Sequence, residues 1–412
     1  MHKGVSPMKR NVVIEFFDTE PIENIITCLN FKMDYVVYIG YPETMTKKRR
    51  EDTVKVLFDM CHIPWECVEY VEVNDNTLSA ILETIQQILV READKGNQCF
   101  IDITGGEDLI MVALGQASVM YRMPMHRFNI VTNELNVLNP EIGFSIKDRA
   151  ICQHLNMSTD KLLRMYGARI NYGEQSRSRT IRDDKGIKDV VYALWDISAE
   201  DSTIWNCMCG VINKLLAEYS TDKMCINVPV KKYLQIYKEK VKNASNELQW
   251  NVFIDKIKNA GCIKDYNRSS HNLSFAFTSE TARDLLTNQG LALELHTYFE
   301  IQKSGKYDEC IIGTHVDWDG KIHEKRQGNA YYDVENEIDI IARKGNIMTF
   351  ISCKNGAFKK EALYELDTVV SHFSRKYIRK CVVAAQELKP VDVMRAEEMG
   401  IAIIESKRKF QL

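Results

Sequence analysis

Apolar positions along this chain fall in short runs separated by longer amphipathic stretches. In the first third, runs at 11–17, 35–39, 67–73, 98–103 and 126–131 read as strands. Helical spacing fills the gaps, to about 29 and over 47–60, 78–92 and 108–122. Strands alternating with helices predict a parallel, doubly wound α/β sheet, which takes ligands beyond the C-terminal ends of its strands. The middle, about 148–290, reads as mostly helical, with a short helix at 162–167 and an exposed loop at 172–185. An amphipathic helix at 203–219 turns Ile204, Met208, Val211, Ile212 and Leu215 to one side. A helix at 250–260, then Gly261-Cys262-Ile263, Tyr266 and a strand at 273–277, predicts a recognition-type helix with a wing. The last third predicts a helix at 291–302, a strand at 309–316 and a polar loop at 317–332. A hairpin follows, then a helix at 360–373, a strand at 380–384, a helix at 391–398 and a strand at 401–404.

Composition adds bounds. At 412 residues, 45% hydrophobic and 27% charged, the chain is long enough for two or three domains. Lys and Arg total 54 against 57 acids, a net charge of -3, so any polyanion site is a local patch. Lys231, Lys232, Lys238, Lys240 and Lys242 read as a solvated face of the middle region, whose expected task is dimerisation and signal transfer. No apolar run approaches the roughly 20 residues that span a bilayer, and MHKGVSPMKR has no apolar core of a signal peptide. A cytoplasmic protein without membrane contact is expected. Twelve cysteines and nine histidines are scattered, and Cys207-Met208-Cys209 is too tight for a zinc pair. They argue against structural zinc.

The hairpin carries the chemistry. Its apolar runs, 338–342 and 348–351, flank the turn Arg343-Lys344-Gly345-Asn346, yet Asp339 interrupts the first and Lys354 closes the second. A structural ion pair is the ordinary alternative. Asp339 followed after the turn by Ser352-Cys353-Lys354 resembles the signature of the PD-(D/E)XK, or restriction-endonuclease-like, nucleases. Asn336-Glu337-Ile338-Asp339 is similar to the branch with resolvase-type and Mrr-type members. Gly290-Leu291-Ala292-Leu293-Glu294, with Tyr298 and Phe299, matches that branch's acidic helix. The resemblance implies Mg²⁺ or Mn²⁺ held by Asp339 with Glu294, and Lys354 orienting the attacking hydroxide; Glu337 and Ser352 join the catalytic set. Ser352 departs from the pattern, which has an acid there. The resemblance implies that Glu361 or Glu365, one turn apart, can replace the missing ligand. Lys359, Lys360 and the loop 313–329 lie where a nucleic-acid backbone would be gripped.

A second constellation stands at strand ends in the first third. Thr104-Gly105-Gly106-Glu107 follows one strand and Asp18-Thr19-Glu20 another, with Gly40 after a third. Glycines let a backbone approach a ligand, and the next helix offers its amides to phosphate. A plain turn capped by Asp108 is the commoner case, and Glu107 and Asp108 would repel a nearby phosphate. Together the two turns resemble the CARF domain, a Rossmann-like sensor of cyclic oligoadenylates. The resemblance implies a homodimer holding one ligand, cyclic tetra-adenylate foremost, through Asp18, Thr19, Glu20, Gly40, Thr104, Gly105, Gly106 and Glu107. A CARF sensor followed by a PD-(D/E)XK core is similar to the ancillary nucleases of type III CRISPR systems. The expected organisation is a Rossmann-like sensor at 9–150, a linker and winged-helix-like region at 151–289, and a restriction-endonuclease-like α/β core at 290–412. The expected function is ligand-activated cleavage of RNA or DNA. The alternative is a ligand-responsive DNA-binding regulator with an inactive core.

Overall fold

The computed structural model describes residues 9–138, 149–151, 157–171, 186–241, 246–318, 320, 335–374 and 376–406. The loop expected at 172–185, Lys242 and most of the polar loop at 317–332 lie outside them.

The first sheet contains β1 (Asn11–Phe16), β2 (Tyr35–Gly40), β3 (Val68–Glu72), β4 (Gln98–Asp102), β5 (Met125–Asn129), β6 (Glu134–Leu138) and β7 (Arg149–Ile151). Its order is β3-β2-β1-β4-β5-β6-β7, parallel from β3 to β5 and antiparallel beyond. α1 (Ile26–Asn30), α2 (Lys47–Cys61), α3 (Leu78–Asp94) and α4 (Asp108–Met120) connect its strands. Val12, Val13 and Ile14 are buried in succession, because a parallel strand is covered on both faces. α3 starts where the Thr77 hydroxyl accepts from Ala80 N, and it buries Ile81, Ile85, Ile88 and Leu89 along one stripe. Since β4 lies beside β1, the order reverses between them, and the crevice of such a sheet opens at that point.

α5 (Thr159–Met165) and β8 (Arg169–Ile170) lead to the middle region: α6 (Ile187–Glu200), α7 (Ser202–Tyr219), β9 (Cys225–Pro229), α8 (Val230–Lys240), α9 (Leu248–Asn259), β10 (Ile263–Arg268), β11 (Asn272–Phe277) and α10 (Glu280–Thr287). The sheet order is β10-β11-β9, with α8 and α9 between β9 and β10. α9 buries Trp250, Phe253, Ile254 and Ile257.

The last sheet is mixed, in the order β16-β15-β14-β13-β12-β8. It comprises β12 (Glu309–Asp317), β13 (Glu335–Lys344), β14 (Ile347–Lys354), β15 (Ile378–Ala384) and β16 (Ile401–Glu405), with α11 (Leu291–Ser304), α12 (Glu361–Phe373) and α13 (Pro390–Glu398). β8, from the stretch expected as linker, pairs with β12 at its edge. One buried cluster runs from the first sheet into the last: Val13, Phe17, Ile22 and Tyr38 share it with Met157, Leu163, Ile341, Phe350, Leu363 and Val370.

Candidate active site and ligand site

Asp339 sits where the hairpin opens. The β13–β14 ladder begins at Ile340 opposite Ile351, so Cys353, which pairs with Val383 of β15, lies beyond the ladder on its β13 side. Asp339 Oδ2 accepts the Cys353 N–H at 2.6 Å and the Ser352 hydroxyl at 3.2 Å. On the other side, Ile312 pairs Ile340 and Thr314 pairs Ile338, leaving Gly313, at φ 55°, facing Asp339 without a side chain. A carboxylate inside an apolar run is thus tolerated because it satisfies an amide the ladder leaves over. Burial pushes the Asp339 carboxyl above the usual range; Cys353 N–H, the Lys354 charge and Ser352 pull it back, and Glu337 raises it further.

Glu294 is in the first turn of α11. A Cβ at Gly290 would stand 3.0 Å from Glu294 Oε1, so the carboxylate lies back over its own helix start. The buried Cys353 thiol is pushed well up by burial and then by the charges of Asp339 and Glu294. Glu337 pairs with His315 across β12–β13, with 3.9 Å between Oε2 and Nε2. The expected metal set is not gathered: among the described residues no three His, Cys, Asp or Glu side chains cluster closely enough to hold an ion. Glu361 and Glu365 are exposed on α12, whose Leu363 and Leu366 face the core instead. What remains, Asp339 with Glu294 near it, fits Mg²⁺, which takes one or two carboxylates and completes its octahedron with water and substrate phosphate.

The proposed ligand turns meet at the β1–β4 switch point. A Cβ at Gly105 would stand 2.6 Å from Glu23 Oε2 and 3.1 Å from Asp18 Cβ, so the two loops are in contact. Thr104 is buried and its hydroxyl is used internally: it donates to Asp102 Oδ1 and accepts from Phe128 N at 2.9 Å. Asp18 Oδ1 accepts from Glu20 N at 2.9 Å, and Asn24 brackets the Asp18 peptide from both sides. Gly40 is buried against Met45. Of the expected set, Thr19 and Glu107 are exposed and Glu20 and Gly106 half-buried. The sequence reading missed Arg49, whose guanidinium bridges the Asp18 and Thr44 carbonyls beside this end of the sheet. It also missed Glu23, fully buried, which accepts from Lys376 Nζ and Tyr377 Oη just before β15. Burial raises the Glu23 carboxyl to about 7. Tyr166 Oη donates to Glu20 Oε2 at 3.2 Å.

Beneath the turns lies a buried polar group. Glu15 and Asp102 are direct neighbours on β1 and β4, and Asp102 also receives the Thr27 hydroxyl, which stands 2.7 Å from His126 Nε2. Burial pushes the Glu15 carboxyl well up, and Asp102 adds to the rise. Above the unfolded Glu value, about 4.3, the unfolded chain loses a proton the folded chain keeps, so stability falls as pH rises towards the folded value. Glu15→Gln is expected to melt higher than wild type at pH 7.5 and to lose part of the pH slope between about 4.5 and 7, Glu20 and Glu23 contributing the rest. Thermal unfolding across that range checks this; an unchanged slope means that Glu15 ionises normally.

A doubly wound sheet with two loops meeting at its switch point is thus coupled to a mixed sheet with a half-buried aspartate at an opened hairpin. Residues 279–411 match the family model of the Card1-like endonuclease domain. Protein VC1899 from Vibrio cholerae has a similar fold: TM-score 0.68 at 17% identity, over 96% of this chain and 94% of that one. Can2 from Sulfobacillus thermosulfidooxidans, solved with cyclic tetra-adenylate, gives 0.63 at 16% identity over 96% and 95%. A search of curated proteins finds no relative by sequence. The chain thus shares its fold with Can2 over nearly its whole length and carries a match to a Card1-like endonuclease domain in its last third.

Proposed function

We propose that this protein is a metal-dependent nuclease of the PD-(D/E)XK type, switched on by a cyclic oligoadenylate in type III CRISPR defence. The observation that carries the reading is Asp339: a half-buried carboxylate at the open end of a hairpin, bonded to Cys353 N–H and beside Lys354, inside the matched endonuclease domain. Mg²⁺ or Mn²⁺, held by Asp339 with Glu294, would supply the charge that activates water and stabilises the phosphorus centre. Lys354 orients the nucleophile and offsets charge building up on the phosphate. The activator is cyclic tetra-adenylate, as in the Can2 complex, held between two sensor domains of a homodimer. The exposed apolar side chains Val112, Val119 and Met120 on α4 support such pairing. The test is cleavage of RNA, single-stranded and duplex DNA with either metal, with and without the cyclic tri-, tetra- and hexa-adenylates. A regulator with an inactive core is favoured by Ser352 in place of an acid and by the winged-helix order of the middle region. Ligand binding without cleavage under every metal would establish it.

Activation runs through the contact between the domains. Glu23 packs under Gly105 of the ligand turn and reaches Lys376 and Tyr377, which lead into β15, the parallel neighbour of β14. A ligand shifts the nuclease only through groups that differ between its two states. Tyr377→Phe and Glu23→Gln are expected to bind the ligand yet respond to it roughly tenfold less, a loss within coupling energies of about 1–3 kcal/mol. Calorimetry and activated cleavage rates check this together; full activation in both variants removes the route.

A further inference from the structure

Three side-chain amides tie both catalytic segments to helices outside the nuclease sheet. Asn355 follows Lys354 at the end of β14. Its Nδ2 donates to Gln289 O at 2.7 Å and to Ser198 Oγ at 3.1 Å, while its carbonyl accepts from Asn206 Nδ2 at 2.6 Å. Gln289 Nε2 donates to Asn206 O at 2.8 Å, and Gln289 O also accepts from Trp205 Nε1 at 3.2 Å. A Cβ at Gly356 would stand 3.1 Å from Asn206 Nδ2, so the glycine leaves room for that amide. Gln386, just beyond β15, donates to Ser202 Oγ at 2.7 Å, and Ala385 N donates to Lys354 O at 3.0 Å.

The junction stands where regular structure stops holding the site. Lys354 is the last residue of β14, and Asn355 is beyond its ladder with β15. Gln289 precedes Gly290, the N-cap of α11, whose first turn carries Glu294. Strand ends and first helical turns have backbone groups without ladder or helix partners, so their position depends on what else they bond. Here both segments bond to each other, through Asn355 and Gln289, and to α6 and α7.

The geometry points to Asn355 as a positioning residue: through Gln289, Asn206 and Ser198 it fixes the Lys354 end of β14 against the Glu294 end of α11. This rests on the nuclease reading above. Aligned catalytic groups act only within narrow tolerances, so loosening this junction lowers the rate of the chemical step more than it weakens substrate binding.

The experiment compares wild type, Asn355→Ala, Asn206→Ala and the double variant as full-length, ligand-activated protein. The expected result is a kcat lower by roughly ten- to a hundredfold in each single variant, with KM within about threefold. The double variant should be no worse than the poorer single one, because both remove the same junction. Hydrogen exchange should quicken together at 353–355 and 291–294, with binding of cyclic tetra-adenylate unchanged as the check on folding. Where Asn355→Ala fails to fold, Asn206→Ala, which removes one donor, decides alone. A kcat within about twofold of wild type, a change confined to KM, or quickened exchange in one segment only overturns the positioning role. Wild-type protein without Asp339-dependent cleavage fails the nuclease reading instead, and is told apart from the first case by the wild-type assay.

Discussion

Asp339→Asn and Lys354→Ala should each abolish measurable cleavage while leaving the binding of cyclic tetra-adenylate intact. Asp339 is the principal carboxylate of the opened hairpin, and its asparagine isostere keeps an oxygen for Cys353 N–H and Ser352 while removing the charge. The substitution therefore separates metal chemistry from local packing. Burial already disfavours the ionised form of Asp339, so the variant should also fold at least as well as wild type at neutral pH. In the proposed reaction Lys354 would offset charge on the phosphate, and losing one such stabiliser typically slows an enzyme by about 10²–10³. Ser352→Ala should be mild, since a hydroxyl is a poor ligand for Mg²⁺. Glu361→Ala and Glu365→Ala should stay close to wild type, because both side chains are exposed on α12. Initial rates under matched Mn²⁺ are the measurement. Wild-type cleavage by Asp339→Asn would move the active site away from this hairpin.

Gly106→Val should silence activation and leave basal cleavage. The backbone at Gly106 has φ 144°, a region closed to branched side chains, and a Cβ would stand 2.6 Å from Met111 Sδ. The turn must therefore shift or Met111 must give way, which disturbs Gly105 and its contact with Asp18. An affinity loss of at least about tenfold is expected, since a displacement costing 1.4 kcal/mol already has that effect. Thr19→Ala tests the same placement without backbone strain, because Thr19 is exposed. Calorimetry with cyclic tetra-adenylate reads both variants, and unchanged affinity in both would remove the ligand from this end of the sheet.

The first sheet was legible because β1 and β2 are near-continuous apolar runs closed by Asp18 and by Gly40-Tyr41-Pro42, and because helical spacing separates the strands. β6 was not: Glu-Leu-Asn-Val-Leu is short, and its hairpin with β5 turns through Asn133 at φ 58° rather than at a glycine. The hairpin aspartate could be found because a charge inside an apolar strand violates the local pattern, and such violations collect at functional sites. The substitute acids could not be placed, because helical spacing gives a face but not what it looks at. Glu23 and Asn355 carry no local signal at all. Their partners stand 353 or 354 positions away for Glu23 and between 66 and 157 away for Asn355, so only tertiary folding defines them. Gly105 and Gly106 were legible as a turn, but their crowding against Glu23, Asp18 and Met111 was not.

The apolar cluster that runs from Val13 and Phe17 through Met157 and Leu163 to Phe350 and Val370 bears on how such proteins can be re-engineered or can diversify. The first sheet and the last are not cartridges on a string. Cutting at a boundary drawn from sequence would strip apolar surface from both pieces and sever the Tyr166–Glu20 and Tyr377–Glu23 bonds at once. A graft that gives this nuclease a new ligand must carry the 157–171 strip with its matched faces, or else change only the loops at the strand ends. Lineages built this way are freer to alter the ligand by turn substitutions than by exchanging whole sensors.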